Sequence, residues 1–104
     1  MNAPIIVTEL AFLSTRPGNG AALEAAFANV AGLLAAAEGH LRHRLVQSVD
    51  QANVYLLEVE WTDLAAHVAV FEPSDAHGRF MAALEPFLSA EPSVIHVPGR
   101  RTAP

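Results

Sequence analysis

The spacing of apolar residues changes along the chain and marks out its elements. Ile5 to Leu13 (IIVTELAFL) is rich in β-branched and aromatic residues and stops at the turn-forming run Arg16-Pro-Gly-Asn-Gly20, which predicts a first strand. From Ala21 the period lengthens. Leu23, Phe27, Val30 and Leu34 recur at spacings of four, three and four, the single apolar stripe of a helix. Asn19 or Gly20 can cap its start, and Gly39 offers the left-handed residue that commonly closes a helix. His40 to Val49 alternates imperfectly, Asp50-Gln-Ala-Asn53 supplies turn residues, and Val54 to Trp61 follows, which predicts a hairpin. In its second strand Tyr55, Leu57, Val59 and Trp61 face one way, and Val54, Leu56, Glu58 and Glu60 the other.

Thr62 and Asp63 can start a short helix with Leu64, His67, Val68 and Phe71 on one face, until Pro73 prevents continuation. Ser74 can cap a new start. His77, Phe80, Met81, Leu84 and Leu88 then form a second stripe that Pro86 ends or bends. Pro92 to Val97 reads as the last strand. The order β, α, β, β, α, β with short connections predicts an α+β fold of ferredoxin-like βαββαβ topology around a four-stranded antiparallel sheet. Helices would cover one face of that sheet. Its other face carries Leu and Val, and a second copy stacked back to back would cover them, giving a homodimeric α+β barrel.

Composition supports this picture. A chain of 104 residues suits one domain over 1–104, with a core at about 4–98 and a tail at 99–104. With 52% hydrophobic and only 16% charged residues, it has little polar material to coat a small monomer. The net charge of −5 and the lack of Lys argue against nucleic acid as a partner. Arg42 and Arg44 alternate with two His, Arg100 and Arg101 sit in the tail, and no basic face forms. No cysteine is present, which removes disulfides and thiolate chemistry and suits a reducing, cytoplasmic setting. No basic segment followed by an apolar stretch opens the chain and no run is long enough to span a bilayer, so neither targeting nor membrane insertion is expected.

The stretch Glu60-Trp-Thr-Asp-Leu-Ala-Ala-His67, followed by Phe71-Glu-Pro-Ser74, Phe80 and Pro86-Phe87, resembles a recurrent pattern of antibiotic biosynthesis monooxygenase domains. The closing Pro92-Ser-Val-Ile-His96 is similar to that family's last strand, and together these residues span Val54 to Val97. The resemblance implies a dimeric α+β barrel. For the family's cofactor-free oxygenases it implies deprotonation of an electron-rich phenol or hydroquinone, whose anion then reduces dioxygen. The protein need supply only a proton acceptor, a water-poor pocket and donors for the developing oxyanion. The haem-degrading relatives imply an Asn, Trp and His set, but Met81 stands where that His would align, which counts against haem.

Histidine suits the acceptor role because its ordinary pKa is near 6.5. His67, between Leu64 and Phe71 on an apolar helix face, is the first candidate base; otherwise it is a core histidine bonded to a strand. His96 alternates with Val94 and can face the same space, as a second candidate or as a structural residue. His77 is expected at the surface. His40 and His43, three apart in a strand, should lie on opposite faces, which spoils them as a metal-chelating pair. No other metal, flavin or dinucleotide signature is present, so no cofactor is expected. Trp61, Tyr55, Phe71 and Phe80 could line a pocket for a flat aromatic ligand, or simply fill the core, and Tyr55 could also donate to an oxyanion. Glu58 and Glu60 lie on one strand face and most simply form a solvated or inter-subunit face, with Arg42 and Arg44 on the paired strand available as counterions. Two functions fit: a cofactor-independent monooxygenase acting on a quinol, anthrone or polyketide-like aromatic, or a non-catalytic ligand-binding or stress-associated dimeric barrel. A filled, purely structural core is a third.

Overall fold

Strand β1 (Val7–Ser14) sends Glu9, Ala11 and Leu13 to one side and Thr8, Leu10 and Phe12 to the other, as the two-residue period of a strand requires. The computed structural model describes residues 5–99. After β1 come helix α1 (Gly20–Ala35), strands β2 (His40–Gln47) and β3 (Val54–Trp61), a π-helical turn (Ala66–Phe71), helix α2 (Asp75–Leu84), a 3₁₀ turn (Glu85–Phe87) and strand β4 (Ser93–Pro98). The sheet order is β2-β3-β1-β4 with every neighbouring pair antiparallel, so the fold is the ferredoxin-like α+β arrangement. Among the described residues no helix is long and apolar enough to cross a membrane.

Both helices pack on the same face of the sheet. Leu23, Phe27 and Leu34 of α1 and Phe80 and Leu84 of α2 close over Ala11, Leu13, Tyr55, Leu57, Val59 and Trp61. Burial of these side chains stabilises the fold by roughly 25 cal/mol for each Å² of apolar surface removed from water. The opposite face is left with Phe12 at 42% and Ile95 at 49% exposure. On that face Arg42 makes a two-pronged contact with Glu60 at 2.6 and 2.9 Å, and Arg44 does the same with Glu58 at 3.0 and 3.2 Å.

The structure departs from the sequence reading in several places. Strand β1 begins at Val7 rather than Ile5, and β2 ends at Gln47 rather than Val49. Helix α1 ends at Ala35, four residues before Gly39. That glycine, at φ +87°, instead turns the chain into β2 against the π-helical turn. Asp63 caps the segment after β3, its Oδ1 accepting from the Ala66 N–H at 2.8 Å, but the turn then widens, with Glu72 N–H donating to the His67 carbonyl. The wider turn keeps His67 and Phe71 inside and swings Leu64 and Val68 out, to 46% and 39% exposure, so the predicted four-residue stripe is split. Leu88 lies past the 3₁₀ turn in extended backbone, where it bridges to Thr15. Gly99, read as tail, donates to the Ile6 carbonyl at 2.8 Å, while the remainder of the predicted tail and Pro4 lie outside the described residues.

A β-bulge between His40 and Arg42 overturns the expectation for the two histidines of β2. The extra residue restores the phase, so His40 pairs with Trp61 and His43 with Val59 on the helix-covered face. Their rings meet at 2.8 Å between Nε2 of His40 and Nδ1 of His43. Two nitrogens remain too few for a metal, and among the described residues no third His, Cys, Asp or Glu completes such a group.

Candidate functional site

Between the sheet and the second half of the chain lies a cavity of about 580 Å³. Its floor is Glu9, Ala11 and Val59, its walls include Phe71, Phe80 and Leu84, and His67, Glu72 and His77 stand on one side. A volume of this order suits a small polycyclic ligand. Among the described residues its ionisable lining consists of Glu9, Glu72, Glu85 and Glu91 against His67 and His77, without Lys or Arg, so an anionic ligand would meet like charge.

His67 reaches this space because the π-helical turn carries it inward, and it is 2% exposed. Its imidazole stacks on the Trp61 indole, with ring centroids 5.1 Å apart and planes 18° from parallel. Its Nδ1 shares a hydrogen with Nε2 of His96 at 2.8 Å, the donor being set by the tautomer. Its Nε2 lies 3.2 Å from Glu9 Oε1 and 3.8 Å from Glu72 Oε2. Burial, then the neighbouring His96 and His77, push the His67 pKa down to about 4. The ring is neutral at physiological pH.

Glu9 is the residue that the sequence reading missed. It occupies an inward position of β1, opposite Val59 on one side and His96 on the other. The Trp61 Nε1–H donates to its Oε1 at 3.0 Å. Burial raises its pKa to about 7, against the lowering effect of that hydrogen bond and with a further rise from Glu72. With the imidazole neutral and the carboxyl near half-protonated, the 3.2 Å contact between His67 and Glu9 is not a full ion pair at neutral pH. The signal was available in sequence: Val7, Glu9, Ala11 and Leu13 alternate on one face, and a lone carboxylate in such a row is costly to bury without a partner.

The other named residues fall into two groups. Phe71 and Phe80 line the cavity, and Trp61 stands behind it, touching His67 and Phe71. His96 is brought to His67, though not into the cavity lining, and His77, expected at the surface, is half-buried with its ring 5.3 Å from that of Phe71. Tyr55 is not brought there. Its hydroxyl donates to Glu24 Oε2 at 2.6 Å at the far end of β3, and this bond pushes its pKa up to about 12. It fastens α1 to the sheet, and it is not among the residues that line the cavity.

Comparison with known proteins agrees with the architecture. The family model for antibiotic biosynthesis monooxygenase matches residues 6–83. The uncharacterized protein YczJ of Bacillus subtilis (strain 168) is 31% identical over 91 residues, covering 88% of this chain and 96% of that one. Among solved structures, a Bordetella bronchiseptica protein named for the same family superposes with a TM-score of 0.88 at 24% identity, covering 93% of this chain and 99% of its own. SnoaB, a cofactor-independent oxygenase from Streptomyces nogalater, superposes with a TM-score of 0.78 at 25% identity, over 96% of this chain and 98% of its own. Matched from its first strand through its second helix, this chain belongs to the antibiotic biosynthesis monooxygenase family.

Proposed function

We propose that the protein is a cofactor-independent monooxygenase that oxidises a small, electron-rich and uncharged aromatic, such as an anthrone or hydroquinone, with dioxygen. The observation that carries this reading is the cavity itself: apolar walls of Phe71, Phe80 and Leu84 with one buried acid–base cluster, Glu9 and His67 backed by His96. Apolar walls hold a flat ring and exclude water, and the cluster accepts its proton. The resulting anion supplies the electrons. The absence of Lys and Arg from the lining favours a substrate that enters neutral. SnoaB, similar along nearly the whole chain, is a cofactor-independent oxygenase and lends the reading support. The working unit in this reading is a cytoplasmic homodimer packed through the exposed sheet face.

Oxygen consumption tests the reading. The purified protein, given a panel of anthrones and hydroquinones, should take up dioxygen above the protein-free rate and yield products one oxygen richer or the corresponding quinones. Binding of these compounds without oxygen uptake would instead establish the rival function, a ligand-binding barrel.

A further inference from the structure

We propose that Glu9 is the catalytic residue that takes and returns the substrate's proton, and that His67 is a positioning residue for it. The proposal rests on the oxygenase reading and refines it. Of the two buried groups that face the cavity, His67 has Nδ1 taken by His96 and Nε2 set between two carboxyls, Glu9 at 3.2 Å and Glu72 at 3.8 Å. A substrate hydroxyl or methylene would have to compete with both. Glu9 is arranged the other way. Trp61 and His67 both sit on Oε1, which fixes the carboxyl plane, while Oε2 has no hydrogen-bond partner among the described residues and is not sealed off, since among them every buried side-chain nitrogen and oxygen is satisfied. That free oxygen belongs to a residue on the cavity floor. The directions of titration agree. A group raised to about 7 can both accept and hold a proton at neutral pH, whereas an imidazole lowered to about 4 surrenders it at once.

An anthrone carries two removable protons on its methylene carbon. The Glu9 carboxylate removes one methylene proton and becomes a neutral acid. The carbanion reduces dioxygen and a C–O bond forms. The Glu9 proton passes to the distal oxygen to give a hydroperoxide. The carboxylate then removes the second C–H proton, the O–O bond breaks, and hydroxide leaves and takes that proton as water. A CH2 group and O2 become C=O and H2O, with dioxygen as the sole oxidant.

The groups that bear on Glu9 are His67 from the π-helical turn, Glu72 just after it, His96 from β4, His77 from α2, and Glu85 and Glu91 at the cavity wall, with Trp61 of β3 donating. The experiment is a pH–rate profile of wild type, Glu9→Gln and His67→Gln with one oxidised anthrone, alongside an infrared titration of the carboxyl groups in all three. Glu9→Gln should remain folded, lose roughly 10²- to 10⁴-fold in kcat, and lose both the acid limb near pH 7 and the infrared carboxyl that titrates there. His67→Gln should keep an acid limb, displaced in pH, and a smaller part of the rate loss. Glu9→Gln turning over at the wild-type rate with its limb intact overturns the assignment, as does loss of the limb in His67→Gln alone. A wild type that consumes no oxygen while its Glu9 still titrates near pH 7 overturns the oxygenase reading, and the catalytic role of Glu9 falls with it.

Discussion

Glu9 and His67 answer burial in opposite directions, and the pH dependence of stability follows from the pair. Folded Glu9 keeps its proton up to about pH 7 instead of 4.5, so between those values the folded chain binds more protons than the unfolded one and stability falls as pH rises. Folded His67 gives up its proton at about pH 4 instead of 6.5, so there the folded chain binds fewer and stability rises with pH. Each displacement corresponds to about 3 kcal/mol, and over the shared range the two slopes oppose each other. Urea unfolding across a pH series should therefore find the wild type nearly flat from about pH 4.5 to 6.5. Glu9→Gln should gain stability as pH climbs through that range, and His67→Gln should lose it. Equal, flat profiles for all three would contradict these burial effects. Residue-scale legibility divides along the same line. His67 stands out in sequence because an imidazole amid apolar helix positions is conspicuous, and the turn preceding it is capped as expected by Asp63. Glu9 stands equally exposed to inspection in its alternating strand, but its meaning depends on Trp61 and His67, which arrive from 52 and 58 residues away.

Local elements were readable where Asp63, Ser74 and the prolines mark them, misread at Gly39, which lies four residues past the end of α1, and obscure wherever helical phase changes without a cap or breaker. Ser74 holds α2 at its start as its sequence context suggests, its Oγ accepting from the His77 N–H at 3.1 Å. Pro86 falls in the 3₁₀ turn just after α2 ends. Nothing in Ala66–Phe71 announces a π-helical turn, because no Pro, Gly or charged residue interrupts the segment and the extra residue shows only in which side chains end up inside. The bulge in β2 is silent for the same reason, and it reverses the relation of His40 to His43. Gly39 is where the π-helical turn presses on the rest of the fold: a Cβ there would fall 2.5 Å from Ala66 Cβ and 2.8 Å from Thr62 Oγ1, on a backbone at φ +87°. Gly39→Ala should therefore cost about 2 kcal/mol or more, from strain and overlap together. Gly18→Ala, at φ +80° but with nothing within 4 Å, should cost only about 1 kcal/mol, the backbone share. Thermal melts of the two variants check this, and equal losses would show that the contact with Ala66 yields easily.

At the scale of the molecule, the sheet has one face under two helices and one face open, and the proposed dimer uses the open face. It carries Leu10, Phe12, Ile95 and Val97 on β1 and β4, beside the ion pairs Arg42–Glu60 and Arg44–Glu58 on β2 and β3. Ion pairs across neighbouring strands at the surface contribute little to stability on their own, typically under about 1 kcal/mol. In the proposed dimer they would neutralise charge beside the apolar strip and let the face approach a copy of itself. A self-complementary contact of this kind is what two-fold symmetry generates. Sedimentation velocity should find the wild type dimeric at micromolar concentration. Ile95→Asp, placing a charge on the strip at a position already 49% exposed in the single chain, should shift it towards monomer without lowering the monomer's own helical content. Arg44→Ala should weaken the dimer less, because it removes a neutralising partner and leaves the apolar contact in place. The cavity opens on the other side of the sheet, so the Ile95→Asp monomer should still bind an anthrone if the barrel half is self-sufficient. Loss of binding in parallel with loss of the dimer would mean that the second copy holds β1 and β4, and with them Glu9 and His96, in register. A wild type that sediments as a monomer at every concentration would remove the sheet-to-sheet dimer altogether.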